Sequence, residues 1–228
     1  MALLQQIIED AAGDGSVSGI LRRLKVAAKR IGAENTLLPW VIRELEGYPP
    51  DVEVPDYRQP IPLDPLGYFT DGLYLPVHRD AMPENWRTAP QFEFPRTHPI
   101  GEIEVLAADG GVGIWWTTEA VAVFNGRIKR EEGGVEPSLN CTKVMAAVGR
   151  RPFETVLDAV RNRALDLALE LELVAPDVGE VGVPDEVNVA AQQVINIFLA
   201  ASLAGANNNF GGTDVTQLIT AIGDGSGE

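Results

Sequence analysis

The stretch from residue 152 to residue 173, PFETVLDAVRNRALDLALELEL, carries the longest uninterrupted helical pattern of the chain. Its apolar residues recur every three or four positions, so they form one stripe along a helix that must be buried. Pro152 suits the first turn of a helix, and Glu154 suits the positive end of the helix dipole. Because Leu165 and Leu169 lie on the opposite side, we predict a central helix with a second packing partner, either another helix or another subunit.

Three shorter helical patterns precede this stretch, at residues 3–12, 18–31 and 36–46, and a glycine follows each of them. Ser18 is the predicted N-cap of the second helix, because a serine side chain can accept a hydrogen bond from a free amide at a helix start. The prolines between residues 49 and 65 then forbid a long helix and favour extended or turn geometry.

A small β-sheet is predicted in the middle of the chain. Strand patterns occur at residues 67–77, with a turn at Asp71-Gly72, at 112–116 and at 139–148. Thr117 or Thr118 can cap a short helix that runs to Phe124. Residues 101–108 fit either a helix or a strand. A further helical pattern at 187–204 follows a change of composition after the central helix.

These elements predict an α+β fold in which N-terminal helices and a long central helix pack with a small β-sheet, followed by a C-terminal helix and a Gly/Asn-rich tail. We place the α+β domain at residues 1–175, a linker at 176–186, and the C-terminal helix with its low-complexity tail at 187–228. The tail contains one apolar island, Val215–Ile222. Such composition is typical of disordered or self-assembling sequence.

The net charge of −15 is unevenly distributed along the chain. Residues 1–174 hold 18 Lys and Arg against 26 Asp and Glu, whereas residues 175–228 hold seven acids and no base. Nucleic acids and anionic membranes bind clustered positive charge, so we expect no nucleic-acid partner. The N-terminal sequence lacks the positive charge and the unbroken apolar run of a signal peptide, which leads us to expect a cytoplasmic protein.

Side chains that carry catalysis or bind metals form no recognisable constellation. The chain has one cysteine, Cys141, and two histidines, which excludes an internal disulfide and a zinc-type ligand set. We interpret Cys141 as a small core residue and predict no cofactor. Three acidic pairs can be written as magnesium ligands: Glu102 and Glu104, Glu131 and Glu132, and Asp185 and Glu186. Because such pairs arise by chance in an acidic chain, a metal-dependent nuclease is kept only as an alternative.

The tryptophans Trp40, Trp115 and Trp116 are predicted to be core or interface aromatics, since tryptophan buries a large area and needs one hydrogen-bond partner. A base-stacking role would require a nearby Lys or Arg. Between Arg96 and Arg127 the sequence has neither. The sequence therefore gives no reason to assign these rings to nucleic-acid binding.

Four segments together resemble the AbiTii domain of bacterial abortive-infection proteins. They are ELEGYP at Glu44–Pro49, VPDYR at Val54–Arg58, LPVHRDAMPENWR at Leu75–Arg87 and VLDAVRNRALDLALELE at Val156–Glu172. The resemblance covers about residues 3–175, and the Gly/Asn-rich tail is similar to tails that follow this domain. It implies a role in defence against bacteriophage, in which an infected cell stops growing or dies. It supplies no catalytic residues.

We therefore expect a non-enzymatic sensing and oligomerisation module that responds to a phage or host protein and forms a homo-oligomer. The predicted partner or assembly contacts are Leu165, Leu169, Ile195, Ile197, Phe198, Val215, Leu218 and Ile219. Two alternatives stay open. A membrane-damaging effector would use the apolar helix at 187–204, whose most apolar part is shorter than the roughly 20 residues of a membrane span. A toxin enzyme such as a metal-dependent nuclease would use carboxylates that the sequence does not single out.

Overall fold

The long helix predicted at residues 152–173 forms the centre of a computed structural model that describes residues 2–87, 90–180, 182 and 184–203. The α-helices are α1 (Leu3–Ala12), α2 (Val17–Ile31), α3 (Leu37–Glu46), α4 (Ile100–Ala108), α5 (Thr118–Lys129), α6 (Arg151–Val174) and α7 (Asp185–Leu203). The strands are β1 (Ile61–Pro62), β2 (Leu66–Phe69), β3 (Tyr74–Pro76), β4 (Glu93–Phe94), β5 (Gly111–Trp115) and β6 (Cys141–Gly149). Short 3₁₀ helices lie at Asp56–Arg58, Arg79–Ala81 and Glu84–Trp86. The predicted α+β class is confirmed.

The central helix α6 buries one continuous stripe. Its fully buried residues are Phe153, Val156, Val160, Ala164, Leu167, Ala168 and Leu171. This stripe packs against α1, α2, α4 and α7. The stripe is continuous because the apolar residues recur every three or four positions, which aligns their side chains on one face of the helix. Pro152 lies in the first turn, as predicted, since the missing proline amide has no partner to lose there.

Four strands form one antiparallel sheet in the order β3-β2-β6-β5. A hairpin joins β2 to β3, and Gly72 at its tip has a φ of 85°, a conformation that glycine adopts without steric cost. The pairing places Tyr68 beside Tyr74 on one side and beside Lys143 on the other, and it places Trp115 beside Met145. Strands β1 and β4 form a separate two-stranded ladder.

Two apolar cores lie beneath these elements. The larger one is shared by the helices and takes in the inward residues Ala146 and Val148 of β6. The smaller one lies between α5 and the sheet, around Phe124 and Val144. Cys141 belongs to the smaller core, which confirms its interpretation as a small core residue. The sheet therefore has one face packed on the cores and one face turned away from them.

Several local predictions are confirmed and one is wrong. Thr117 caps α5 by accepting a hydrogen bond from the Ala120 amide at 3.2 Å, although the helix runs beyond Phe124 to Lys129. The ambiguous segment 101–108 belongs to α4. Ser18 is not the N-cap of α2. The Ser16 hydroxyl accepts from the Gly19 amide at 3.1 Å, and Ser18 is buried within the first turn.

The C-terminal helix α7 packs back onto the rest of the chain. Ala191, Ile195 and Phe198 are buried in the larger core. The Gln192 side-chain amide also donates to the Ile31 carbonyl, 2.9 Å away, at the end of α2. No helix in the described ranges is long and apolar enough to cross a membrane.

Candidate interaction surface

Two groups of polar and aromatic side chains stand out in the structure, and the first is largely buried. We call it the sealed cluster: Trp40, Glu44, Tyr48, Tyr57 and Arg58. Arg58 Nη2 donates to Glu44 Oε2, and both side chains are fully buried. The hydroxyls of Tyr48 and Tyr57 donate to Glu44 Oε1 at 2.6 and 2.7 Å, and Trp40 Nε1 donates to the Tyr57 hydroxyl at 3.0 Å. Every member thus has a partner within the cluster.

Further contacts fasten the sealed cluster to the surrounding chain. Arg58 Nη1 donates to the carbonyls of Arg96 and His98, both at 3.0 Å. The Arg163 guanidinium of α6 lies 4.2 Å from the centre of the Tyr57 ring. The cluster therefore joins α3, the proline-rich segment and the central helix. Since breaking a buried ion pair leaves an uncompensated charge, these contacts fix one arrangement of the segments.

Burial also fixes the protonation of the two tyrosines. Removal from water, together with the neighbouring Glu44 carboxylate, raises the pKa of Tyr48 well above its ordinary value of 10.0. The same two causes, in the same order, raise the pKa of Tyr57. Both hydroxyls therefore stay protonated as donors to Glu44 well into the alkaline range. Both tyrosines therefore act inside the fold as hydrogen-bond donors to Glu44.

The second group is open and lies on the outer face of the sheet. We call it the aromatic sheet face: Leu66, Tyr68, Tyr74, Trp115, Lys143 and Met145. Residues two apart along a strand share a face, so the ladder pairs of β3, β2, β6 and β5 bring these six side chains together. Tyr74 is 64% exposed and Trp115 is 52% exposed. Large aromatic side chains at this exposure indicate an interaction surface when they cluster.

Ring and cation contacts order the aromatic sheet face. The Lys143 ammonium lies 4.8 Å from the centre of the Tyr68 ring and 4.9 Å from that of Trp115. The rings of Tyr68 and Tyr74 meet edge to face at 4.7 Å. Cation–π contacts at exposed sites contribute about 0.5–1 kcal/mol each, enough to restrict these side chains while leaving their outer surfaces open. The arrangement holds an ammonium group and two aromatic rings in fixed positions on an exposed face.

Sequence reasoning did not find this surface. Strand alternation separates Trp115 from Trp116: Trp116 is only 8% exposed in the smaller core, and its Nε1 donates to the Gln91 carbonyl at 3.3 Å. Trp116 is therefore a core residue, one of the two predicted roles, whereas for Trp115 the interface role stays a prediction. A basic residue, Lys143 of β6, lies over the Trp115 ring in the structure although it is distant in sequence. The alternation of inward and outward residues along 111–116 could have predicted that only one of the two tryptophans is buried. The pairing of β5 with β6 cannot be predicted from either segment alone.

The predicted contact residues lie elsewhere. Leu169 is 43% exposed on α6, Leu165 and Ile197 are half-buried, and Ile195 and Phe198 are buried in the chain's own core. Phe198 contacts the Trp40 ring edge to face at 6.4 Å. The remaining three, Val215, Leu218 and Ile219, lie outside the described residues. The structure brings none of the five described residues to the aromatic sheet face, and their contact with a partner stays a prediction.

The acidic pairs are distributed over separate elements. Glu104 Oε1 accepts a hydrogen bond from the Ser18 amide at 3.2 Å, and Glu132 forms ion pairs with Arg127 and Arg130. Asp185 and Glu186 begin α7. In the part of the chain that the structure describes, no three His, Cys, Asp or Glu residues are grouped so that they could hold a metal ion.

Comparison with known proteins agrees with the sequence resemblance. The family model AbiTii matches residues 2–197, which is most of the chain and extends into α7. The chain belongs to the AbiTii family. This membership places it in abortive-infection defence against bacteriophage. No curated protein and no solved structure matches the chain. Two of the segments that carry the resemblance, ELEGYP and VPDYR, supply Glu44, Tyr48, Tyr57 and Arg58 to the sealed cluster.

Proposed function

We propose that this AbiTii chain is a non-enzymatic sensing and self-associating module of an antiphage system. The aromatic sheet face docks a protein trigger of phage or host origin, and the C-terminal tail drives assembly. The observation that carries the proposal is the exposure of Trp115 and Tyr74 on a face that Lys143 orders from within. Trp and Tyr are also the residues that most often dominate the energy of protein interfaces.

The chemistry of the aromatic sheet face describes the trigger that would fit it. A docked partner would remove the outer surfaces of Trp115 and Tyr74 from water, which favours an apolar or aromatic surface. It would also take the Lys143 ammonium out of water. Because an unpaired buried charge is costly, the partner should bring a carboxylate to Lys143. An acidic, aromatic protein segment meets both requirements.

Support for assembly by the tail comes from the sequence. The apolar island Val215–Ile222 contains the predicted contacts Val215, Leu218 and Ile219 and lies in a segment without a basic residue. The position of α7 determines where the chain can be truncated. Ile195 and Phe198 are core residues, so truncation before α7 would expose the larger core. A cut after Leu203, the end of α7, would spare it.

Phage plating tests the docking role. Cells that produce the Trp115→Ala chain should lose protection, because the variant removes the largest exposed ring of the aromatic sheet face. Leu173→Ala is the matched control, since Leu173 is 77% exposed at the end of α6 and lies outside this face. Equal protection by both variants at equal soluble abundance would refute docking through the face.

Light scattering tests the assembly role. The full chain should form assemblies of more subunits than the chain that ends at Leu203, as the measured mass divided by the mass of one chain, with both chains folded by circular dichroism. The same number of subunits in both would refute assembly by the tail. The docking role would still be tested by phage plating.

A further inference from the structure

One edge of the four-stranded sheet carries backbone groups that pair with no other strand of the described residues. Strand β5 is the last in the order β3-β2-β6-β5. The Trp116 amide donates to the Val144 carbonyl at 2.9 Å. Backbone groups in an antiparallel ladder alternate in direction every residue, so the amides and carbonyls of Ile114 and Val112 also point toward β6. The amides and carbonyls of Gly113 and Trp115 then point away from the sheet. The described chain offers these outward groups no backbone partner.

The two edges of this sheet differ in how they are protected. The opposite edge, β3, has three residues and ends at Pro76. Short length and proline are two devices by which proteins prevent an edge strand from pairing with another chain. Strand β5 has five residues, GVGIW, with no charge and no proline. It retains the properties of a strand that accepts a further strand.

We propose that β5 pairs antiparallel with β5 of a second copy of this chain, about a two-fold axis through Gly113. Gly113 would then face the partner's Gly113, and Gly111 would face the partner's Trp115. The amide and carbonyl of Gly113 point outward, so the central pair of Gly113 residues can exchange both N–H···O bonds, and the outward groups of Trp115 extend the ladder on each side. The two sheets become one continuous sheet, and the interface is self-complementary, as a two-fold axis requires.

Side chains fit this pairing on the outer face of the sheet. Trp115 would lie beside the partner's Gly111 and close to the partner's Gly113, which have no side chains to exclude the indole. Aromatic rings that cover edge glycines stabilise strand pairing. The chain carries a net charge of −15, and an uncharged edge is where two copies can approach with the least local repulsion.

An apolar groove completes the fit on the inner face. It lies between α4 and β5, has a volume of about 390 Å³, and is lined by Phe94, Val105, Leu106 and Val112 among others. Val105 is 57% exposed there. In the proposed register Val112 pairs with the partner's Ile114, whose side chain would extend over the groove. A second copy therefore covers an apolar surface that the single chain leaves open.

Position-specific cross-linking of the full chain tests this pairing. Hydrogen-bonded pairs of an antiparallel ladder have Cα atoms about 5.5 Å apart, within the range that a disulfide spans. Gly113→Cys should therefore form a covalent dimer under mild oxidation. The substitution is compatible with the fold, because a Cβ at Gly113 meets only the Met145 sulfur, at 3.8 Å. The native Cys141 is buried.

Ala147→Cys is the matched control. Ala147 is exposed on the same face and is the ladder partner of Gly113, but it lies one strand further from the proposed axis. Two copies of it would be about 14 Å apart at a strand spacing of about 4.8 Å, too far for a disulfide. Cross-linking of Gly113→Cys alone supports the pairing. Equal cross-linking of both variants, none of either, or a disulfide from position 113 only to another protein overturns it.

A charged variant adds a second readout. Gly113→Lys would place two ammonium groups opposite each other at the axis, which destabilises a strand pair. It should lower the dimer population in light scattering, whereas Ala147→Lys should leave it unchanged. The proposal does not depend on the tail. Loss of tail assembly with intact cross-linking at position 113 would refute the tail role alone.

Discussion

The sealed cluster and the aromatic sheet face are built from the same kinds of side chains and differ in their access to water. Each combines two tyrosines, a tryptophan and a cation. In the sealed cluster the Glu44 carboxylate holds Arg58 and both hydroxyls, and the pair is fully buried. On the aromatic sheet face Lys143 contacts two rings whose outer surfaces remain exposed.

We interpret this difference as a structural role for the sealed cluster and, under the proposal, a docking role for the aromatic sheet face. The hydrogen-bonding capacity of the sealed cluster is largely used inside the chain, so its residues hold segments together. On the aromatic sheet face Tyr68 contacts Tyr74 edge to face and lies tilted against Trp115 at 6.1 Å, and Lys143 lies over the rings of Tyr68 and Trp115. Their exposed surfaces contribute little to folding and are available to a partner. We expect changes in the sealed cluster to lower stability and changes on the aromatic sheet face to lower protection against phage.

The largest expected effect comes from breaking the ion pair of the sealed cluster. Arg58→Met leaves the buried Glu44 carboxylate without its cation, which should lower the free energy of unfolding by about 3–5 kcal/mol. Chemical denaturation of the wild type and the variant measures this loss. A change below about 1 kcal/mol would show that water reaches the cluster, and the comparison would fail.

Removal of one hydroxyl should have a smaller effect. Tyr48→Phe keeps the ring but takes one donor from Glu44, so we expect a loss of about 1–3 kcal/mol in the free energy of unfolding. Tyr74→Phe is the control on the aromatic sheet face, because Tyr74 is 64% exposed. Equal losses for the two variants would contradict the contrast between the groups.

Alkaline pH should weaken the sealed cluster selectively. The folded state raises the pKa of Tyr48 and Tyr57 above the ordinary 10.0, so their contribution is complete below pH 10. Above that pH the unfolded chain loses its phenolic protons first, and stability falls by up to about 1.4 kcal/mol per pH unit for each tyrosine. Denaturation at pH 9 to 11 should show a shallower decline for Tyr48→Phe. An unchanged slope would argue against the raised pKa.

Removal of the largest exposed ring should lower the free energy of unfolding by the smallest amount. Trp115→Ala loses contacts with Lys143 and Tyr68 but opens no cavity in either core, so the free energy of unfolding should fall by less than about 1 kcal/mol. Thermal unfolding checks this expectation. A loss as large as that of Arg58→Met would show that the aromatic sheet face is part of the core.

Most of the helical fold is predictable from local patterns. The buried stripe of α6 follows from a repeat that is visible in residues 153–171, and glycines end α2 and α3 where expected. Errors arise where two local signals compete. Ser16 and Ser18 are both suitable caps, and the choice depends on which amide is left free, here that of Gly19.

The candidate site is less predictable because it depends on contacts between distant segments. Tyr68, Trp115 and Lys143 come from three strands, and their pairing follows from the order of the sheet rather than from any one segment. The sealed cluster shows the same limit. Glu44 and Arg58 carry the family resemblance, but the sequence does not say that their charges are buried together. Packing of α7 onto the core likewise depends on long-range contacts.

We expect the aromatic sheet face to carry the defence function and the sealed cluster to carry stability, and plaque counts on two strains test this separation. One strain produces Tyr48→Phe and the other Tyr74→Ala with Trp115→Ala, at equal soluble abundance. The account predicts that the less stable Tyr48→Phe chain still protects, whereas the stable double variant does not. Full protection by a folded double variant would contradict it.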